Sequence, residues 1–486
     1  MDILLAHGYF LLEDPHELAV MRPYPPLGLL YISAHLKAKG FGVGVFDSTF
    51  SSLVDFERLV ETEKPSVVGL YTTLMTKQNI LRMMQFCREQ GVHVVLGGPE
   101  PPHYAEEYLQ RGADVIVIGE GEITLEALLP HLAQHGLNRL WEVAGIAFRD
   151  DVGQVIRTDP RPYIQNLDEQ PWPDREAIDL PRYISVWREH HGMGSTSLIC
   201  ARGCPYTCTW CSHSVFGETH RRRSPSNVAD EVKYLLERYA PDQLWFADDV
   251  FTINWRWLRS LADEFKVRGI RIPFECISRA DRLNDEMVDL LAEMGCSRLW
   301  IGSESGSQKI LDAMQRKTDV KAVQGMTQAL RQRGIETGMF IMLGYDGETL
   351  ADLQATVDHL KQSNPDIFLT TVAYPIKGTR YYEEVAERVI APGEWEGRTD
   401  RDLGVAGRHS RRYYSFATRW MVHSVHAHKV RLSNTGLRKY PRIMKHTAHA
   451  LIGRVGMILT AHEVEGMVAP AGRGWYDEKR QTPQVT

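Results

Sequence analysis

Two α/β units in series are predicted for this chain of 486 residues: a doubly wound parallel sheet, then an open partial (β/α)6 barrel, with a mainly helical, basic region after them. Three observations carry that prediction. Short apolar runs alternate with amphipathic segments through about the first 135 residues, the same alternation resumes at SLICARG after a turn-rich interval, and it stops near residue 390. Runs that are apolar throughout belong to strands buried on both faces, which is the condition of a parallel sheet covered by helices.

The first series reads DILLAHG, GLLYISAHLKAKG, VGVFDST, SVVGLYTT, ILRMMQFCREQG, HVVLGGPEP, YAEEYLQRG and DVIVIGEGE, and defines a domain over 1–140. Its strand ends carry Tyr71-Thr72-Thr73, Gly97-Gly98-Pro99 and Gly119-Glu120-Gly121-Glu122. A strand-to-helix turn accounts for any one of these alone. Three at one edge of one sheet mark a cofactor groove, because such sheets take ligands at the carboxyl ends of their strands.

Residues 141–190 contain a hairpin, AGIAFRDDVGQVIRTD, and a proline-bearing linker, NLDEQPWPDREAIDLPRY. The second series fills 191–385, with strands expected at 197–200, 243–249, 274–280, 297–304, 338–344 and 366–375. Helical segments such as NVADEVKYLLERYA and LADLQATVDHLKQ separate them. Six units suit an open barrel better than a closed one of eight, and chemistry in either belongs at the carboxyl ends of the strands. In the last region, 386–486, RRYYSFATRWMVHSVHAHKVRL reads as helix.

At 43% hydrophobic and 24% charged residues the composition is that of a globular protein. No apolar run approaches the roughly 18 residues that span a bilayer. The first residues read as a strand with no secretory signal, so a cytoplasmic location is expected. The cytosol keeps thiols reduced, and seven cysteines cannot all pair, so a disulfide framework is not expected. Cys87, Cys276 and Cys296 read as small buried apolar residues.

The net charge of -6 is uneven: residues 403–462 contain no Asp or Glu but eleven Lys and Arg. Two readings stand, a solvated basic face or a docking surface for an anionic substrate, a phosphate or a lipid leaflet. On the second, peripheral membrane contact through 403–462 is expected, and Arg411 and Arg412 are its candidate contacts. Aromatic residues interleave with arginines in RRYYSFATRW, as stacking on nucleic acid requires. A zinc-stabilised binding module of that kind leaves both βα series unexplained, so no nucleic-acid partner is expected. His423, His426 and His428 have no acid or thiol beside them in sequence and read as a solvated helix face.

Cys204, Cys208 and Cys211 follow the first strand of the second series, three and then two residues apart. A short loop can turn all three sulfurs towards one point. A structural zinc site takes four ligands, for which His213 or Cys200 is available, whereas three thiolates on a [4Fe-4S] cube leave one iron open.

This C-x3-C-x2-C loop resembles the signature of the radical S-adenosylmethionine (SAM) enzymes. The resemblance implies that Cys204, Cys208 and Cys211 hold a [4Fe-4S] cluster whose open iron chelates SAM, and that SAM is cleaved there to a 5′-deoxyadenosyl radical. Trp210 matches the family's aromatic position beside the third cysteine. Phe246-Ala247-Asp248-Asp249 stands where the family receives the SAM amino group, with two acids in place of a Gly-Gly-Glu-like segment, so Asp248 and Asp249 are implied contacts. Arg279 is implied to meet the SAM carboxylate. Gly302-Ser303-Glu304-Ser305-Gly306 resembles the ribose-binding segment, with Glu304 as acceptor and Ser303 and Ser305 beside it. Pro375-Ile376-Lys377-Gly378-Thr379 resembles the turn that closes the sixth strand.

The N-terminal sheet resembles the cobalamin-binding domain of one large subgroup, which makes Thr72, Thr73, Gly97, Gly98, Gly119, Glu120 and Gly121 expected cobalamin contacts. Asp14-Pro15-His16 lacks the glycine of the Asp-x-His-x-x-Gly motif, and His16 reads as a loop histidine. Residues 390–415 resemble the tail of the subgroup that includes anaerobic magnesium-protoporphyrin cyclases and C-methylases of lipids and pigments. A methylthiotransferase is disfavoured, since its N-terminal domain carries a second cysteine triad and this one has only Cys87. The resemblance implies cobalamin-dependent C-methyl transfer to a small or lipid-like substrate, with radical cyclisation or rearrangement on a tetrapyrrole-like or lipid substrate as the alternative; the basic stretch favours an anionic one. It also implies an electron donor such as flavodoxin or ferredoxin.

Overall fold

β1 (Ile3–His7) is buried at every residue, and with β2 (Val43–Phe46), β3 (Val67–Tyr71), β4 (His93–Gly97) and β5 (Val115–Val117) it makes a parallel sheet in the order β2-β1-β3-β4-β5. The chain is seen here as a computed structural model that describes residues 1–433, Gly436 and 439–466. Strand order reverses at β1 and β3, and a crevice opens outside the carboxyl ends at such a point. Helices cover both faces. One of them, Leu53–Glu63, starts on a capping box in which Ser52 and Asp55 satisfy each other's backbone N–H.

The hairpin is part of this sheet. β6 (Ile146–Arg149) pairs antiparallel with β5, and β7 (Val155–Arg157) with β6, extending it to seven strands and past the expected boundary at 140. Ile146, Ala147 and Phe148 are buried there. The tight turn between them is held by the Asp150 carboxylate, which accepts from the N–H groups of Val152 and Gln154.

The expected linker is packed rather than free. Asp174 accepts from Ser33 Oγ at 2.6 Å and Lys37 Nζ at 2.7 Å on a helix of the first domain. Arg175, next to it, is buried against Glu231 on a barrel helix. A helix at Leu180–His191 follows, and its Tyr183 hydroxyl donates to Asp47 after β2.

β8 (Ser195–Leu198) opens the second sheet. Just beyond it β9 (Ala201–Arg202) and β10 (Arg221–Arg222) pair antiparallel and close the base of the cysteine loop. β11 (Gln243–Phe246), β12 (Phe274–Ser278), β13 (Cys296–Glu304), β14 (Glu336–Leu343) and β15 (Ile367–Val372) complete an all-parallel sheet of six strands in sequential order. β8 and β15 do not pair with each other, so the barrel is open. Leu198, Phe246, Phe274, Leu299 and Ile341 lie in its core, and Cys276 and Cys296 are buried among them. Cys87 is likewise buried in the first domain, where burial pushes its thiol up to about 12.

Residues 386–410 hold three single 3-10 turns and no α-helix, and β16 (Val389–Ile390) and β17 (Gly404–Val405) form a short antiparallel ribbon. Two helices of 22 residues follow, Arg411–Leu432 and Lys439–Thr460, packed as an antiparallel hairpin. The first seats Tyr414, Ala417 and Met421 on the barrel core. The second approaches it closely because a Cβ at Gly453 would lie 2.6 Å from Trp420 N. The expected solvated histidine face is corrected: His423 and His426 are half-buried and meet His446 of the second helix, whereas His428 faces elsewhere on the first. Among the described residues no helix is long and apolar enough to cross a membrane.

Candidate cofactor site

The cysteine loop turns back on itself at Gly203, whose φ of +85° suits glycine and whose Cβ would lie 2.5 Å from Thr219 O. Its far end is braced on three sides. Thr209 N–H donates to Met314 O, Thr209 O accepts from Tyr381 N–H, and the Thr209 hydroxyl lies 2.6 Å from that of Tyr345. Cys208 is buried and Cys204 and Cys211 half-buried. Burial raises the Cys204 thiol and pushes that of Cys211 up to about 12, and the thiols feel one another's charge, so the three are neighbours. Thiols in this state release protons when a metal binds.

Among the described residues, however, no three of these sulfurs, and no trio with His213 or Cys200, lie within 4.8 Å of one another. One tetrahedral zinc with bonds of ~2.3 Å would gather them to ~3.8 Å. A [4Fe-4S] cluster instead takes each thiolate on a separate iron. Two buried polar atoms flank the loop without a protein partner, Trp210 Nε1 and His213 Nε2. Cys200 is wholly buried behind the loop.

Two guanidiniums reach Cys208 Sγ, Arg279 Nη1 at 3.8 Å and Arg316 Nη1 at 3.6 Å, and would balance charge on a ligating sulfur. Arg279 is held by Asp281 and by Arg316 O, and lies over the ring of Tyr206 at 3.8 Å. Arg316 and Tyr206 were not anticipated. Arg316 sits between Gln315 and Lys317, both left-handed, in an irregular turn with no periodicity to single it out.

Glu304 ends β13 at a register shift and takes a φ of +62°, unusual for a residue with a Cβ. It is 4% exposed, and burial pushes its carboxyl up to about 7 against the pull of Arg316 and Arg279. A Cβ at Gly302 would collide with Arg316 and press on Glu304, so that glycine makes their space. Ser303 and Ser305 point the other way, as alternation along a strand dictates. Their hydroxyls meet His359 Nε2 at 2.8 Å and Thr356 Oγ1 at 3.2 Å on the helix behind the sheet, which corrects the expectation that they line the site.

Asp248 is corrected too. It is 1% exposed, and its carboxylate accepts from the N–H groups of Cys200 and Ala201 and from Arg222. That acid holds the end of β8 against β11. Asp249 is exposed, and its charge is felt by Cys204 and Cys211.

On the first sheet, Gly98 has a φ of +109° and a Cβ there would collide with Thr72 O. Thr72 is buried, with its hydroxyl on Leu70 O, and Thr73 bonds Thr76, so their side chains shape the turn. Gly97 and Gly119 leave open space: a Cβ at Gly119 would find Val215 O, in the cysteine loop, only at 3.7 Å. Gly121 is tight against Ile32, a helix contact. Glu120 is corrected from cofactor contact to clamp. It accepts from Arg202 at 2.7 Å and Arg221 at 2.8 Å, and Glu122 from Arg202 at 2.6 Å, so both strands at the base of the cysteine loop are pinned to the first domain. The Pro375–Thr379 turn packs on the same edge, with Gly378 against the His103 ring. Loops after the carboxyl ends of the two sheets therefore meet. His16, expected in a loop, lies exposed instead on a six-residue helix beside Glu17, where Asp14 caps the first turn.

Residues 198–360 match the family model of the radical SAM superfamily, and residues 19–129 that of the B12 binding domain. An uncharacterized methyltransferase of Pyrococcus horikoshii is 26% identical over 81% of this chain and 86% of its own length. An anaerobic magnesium-protoporphyrin IX monomethyl ester cyclase of Rubrivivax gelatinosus is 26% identical over 75% of this chain and 67% of its own. Among solved structures, the radical S-adenosylmethionine methyltransferase TsrM from Kitasatospora setae, with cobalamin and a [4Fe-4S] cluster bound, superposes with a TM-score of 0.65 at 19% identity, covering 80% of this chain and 76% of that one.

Proposed function

This chain belongs to the B12-binding radical SAM enzymes, and from that premise we propose that it methylates an unactivated carbon of a small or lipid-like molecule. One observation carries the reading: the three cysteines, with Arg279, Arg316 and Glu304 behind them, lie in loops that meet the glycine-lined edge of the B12-binding sheet. When bound, the cluster supplies the electron that cleaves SAM, and cobalamin carries the methyl group between SAM and substrate.

The chain's own work is to hold and enclose these groups. Cys204, Cys208 and Cys211 are the ligands of three irons, and the indole of Trp210 shields them from water. Asp249, rather than Asp248, takes the SAM ammonium, and the positive charge of Arg279 and Arg316 favours its carboxylate. Glu304 accepts the ribose hydroxyls. Gly97, Gly98 and Gly119 leave a flat edge for the corrin ring, and the pinned loops set the distance between the two cofactors.

The test is anaerobic reconstitution with iron, sulfide and cobalamin, followed by metal analysis and electron paramagnetic resonance. Four irons per chain, a resonance perturbed by SAM and a bound corrinoid support the reading; stoichiometric zinc with no response to SAM overturns it. The likeness to the Rubrivivax cyclase supports a second reading, ring closure without methyl transfer. SAM with a trideuterated methyl group separates them, since only methyl transfer puts the label in the product.

Reduced flavodoxin or ferredoxin is the proposed electron donor. A place at the membrane surface is supported by the helix Lys439–Thr460, where Tyr440, Met444, Leu451, Val455, Ile458 and Leu459 are exposed along one side. Arg411 and Arg412 stand half-exposed beside the Asp402 carbonyl and the Glu463 carboxylate and stay candidate contacts. Leu451→Glu with Leu459→Glu is expected to abolish sedimentation with anionic vesicles while leaving the iron content unchanged.

A further inference from the structure

His423 and His426 stand three residues apart on one face of the helix Arg411–Leu432, and His446 and His449 repeat that spacing on the helix Lys439–Thr460 packed against it. One ring nitrogen from each of His423, His426 and His446 lies within 4.8 Å of the others. His423 Nδ1 and His446 Nδ1 are 2.9 Å apart, and the His449 ring stacks on His423 with centroids at 4.7 Å. All four are half-buried, and the ring of Phe368 from β15 packs on His426.

We propose that His423, His426 and His446 form a second metal site, independent of the radical chemistry, which takes a borderline first-row dication, zinc foremost, and joins the two C-terminal helices. Bonds of ~2.0–2.1 Å from a tetrahedral zinc would set its ligand nitrogens ~3.3 Å apart, which small rotations of these rings supply. Three imidazoles leave a fourth position open, either for His449 or for a water or anion.

The geometry is matched by rings that stay neutral in this place. Burial and the neighbouring rings hold His423 and His426 down to about 4, and His446 is lowered for the same reason, so at neutral pH the lone pairs are free. The charged groups acting on the cluster are all basic: Arg419 and Lys429 on the first helix, Arg442 and Lys445 on the second. They oppose protonation and repel a bare dication alike, so the metal would bind with an anion drawn to its open position. Imidazole suits zinc, copper and nickel, whereas magnesium and calcium prefer oxygen, so the hard dications are excluded.

The test uses the full chain, the wild type with its cluster loaded and the cysteine variant without one, exposed to zinc and freed of loosely held metal by gel filtration. About one zinc per chain is expected, retained in a Cys204→Ala, Cys208→Ala, Cys211→Ala variant and lost in His426→Gln, His446→Gln. Cobalt in its place should give visible d–d bands without the thiolate charge transfer of a cysteine site. Zinc absent from the wild-type chain, or zinc that follows the cysteines rather than the histidines, would overturn the proposal. Circular dichroism establishes that the histidine variant is folded, and the wild-type titration decides the matter if it is not.

Discussion

Glu304 shows most clearly what one residue contributes to the site. It is buried, bent into a left-handed backbone and set beside two arginines, with its carboxyl pushed up to about 7. An ionised carboxylate accepts from two hydroxyls where a neutral one accepts less well, so SAM should bind more tightly as pH rises through about 7. Glu304→Gln should lose that pH dependence and weaken SAM by at least about tenfold, the ~1.5–3 kcal/mol of a hydrogen bond to a charged group, with iron content unchanged. Equilibrium dialysis over pH 6 to 8.5 reads both effects. Ser303→Ala and Ser305→Ala should leave SAM affinity as it was, since those hydroxyls serve the helix behind the sheet. The GSESG stretch was legible as a ligand-bearing strand end. Which side of the strand meets the helix behind the sheet was not, because His359 and Thr356, the partners of Ser303 and Ser305, are remote in sequence.

At the scale of elements, turns decide how strand ends become sites. Gly98 closes the turn after β4 in a conformation a Cβ would not allow without striking Thr72 O. Gly98→Ala should cost ~1–3 kcal/mol and release cobalamin, measured by thermal melting and by the corrinoid retained after gel filtration. After β14, the Glu348 carboxylate accepts from Gly344 N–H at 2.6 Å, and burial pushes it up to about 8 from an ordinary 4.5. A carboxyl raised on folding favours the folded state fully below its unfolded value, and that contribution fades as pH climbs to the folded one. Stability should therefore fall between about pH 4.5 and 8 for this group, and Glu348→Gln should flatten the fall. Urea midpoints of the two proteins at pH 5 and 8.5 would differ in slope; parallel profiles would refute the assignment.

Across the whole molecule, buried ion pairs rather than a flexible hinge join the two sheets. Glu120 and Glu122 bind Arg202 and Arg221 at the base of the cysteine loop, and Glu231 binds Arg175 of the connecting segment and Arg223 of the barrel. Removing one partner strands charges out of water. Glu231→Ala should cost ~3–5 kcal/mol, seen as a lower denaturation midpoint, whereas a surface pair such as Arg238 with Glu176 should be nearly neutral. Glu120→Ala should loosen the cysteine loop from the first domain and slow turnover more than it weakens SAM.

The sequence by itself determined the two βα series, their six- and five-strand parallel cores and the position of the cysteine loop, because burial on both faces demands apolar runs and strand ends demand glycines. It also marked the thiols whose spacing fits a cluster. Only the tertiary structure decided what the polar strand-end residues meet within the protein: Asp248, Glu120, Ser303 and Ser305 carry the expected residue types, yet their partners come from segments remote in sequence. The hairpin's place in the first sheet, Arg316 beside Cys208 and the histidines gathered from two helices arise in the same way. Periodicity reports which face of an element is buried, but what a polar side chain meets there depends on a neighbour that periodicity does not name.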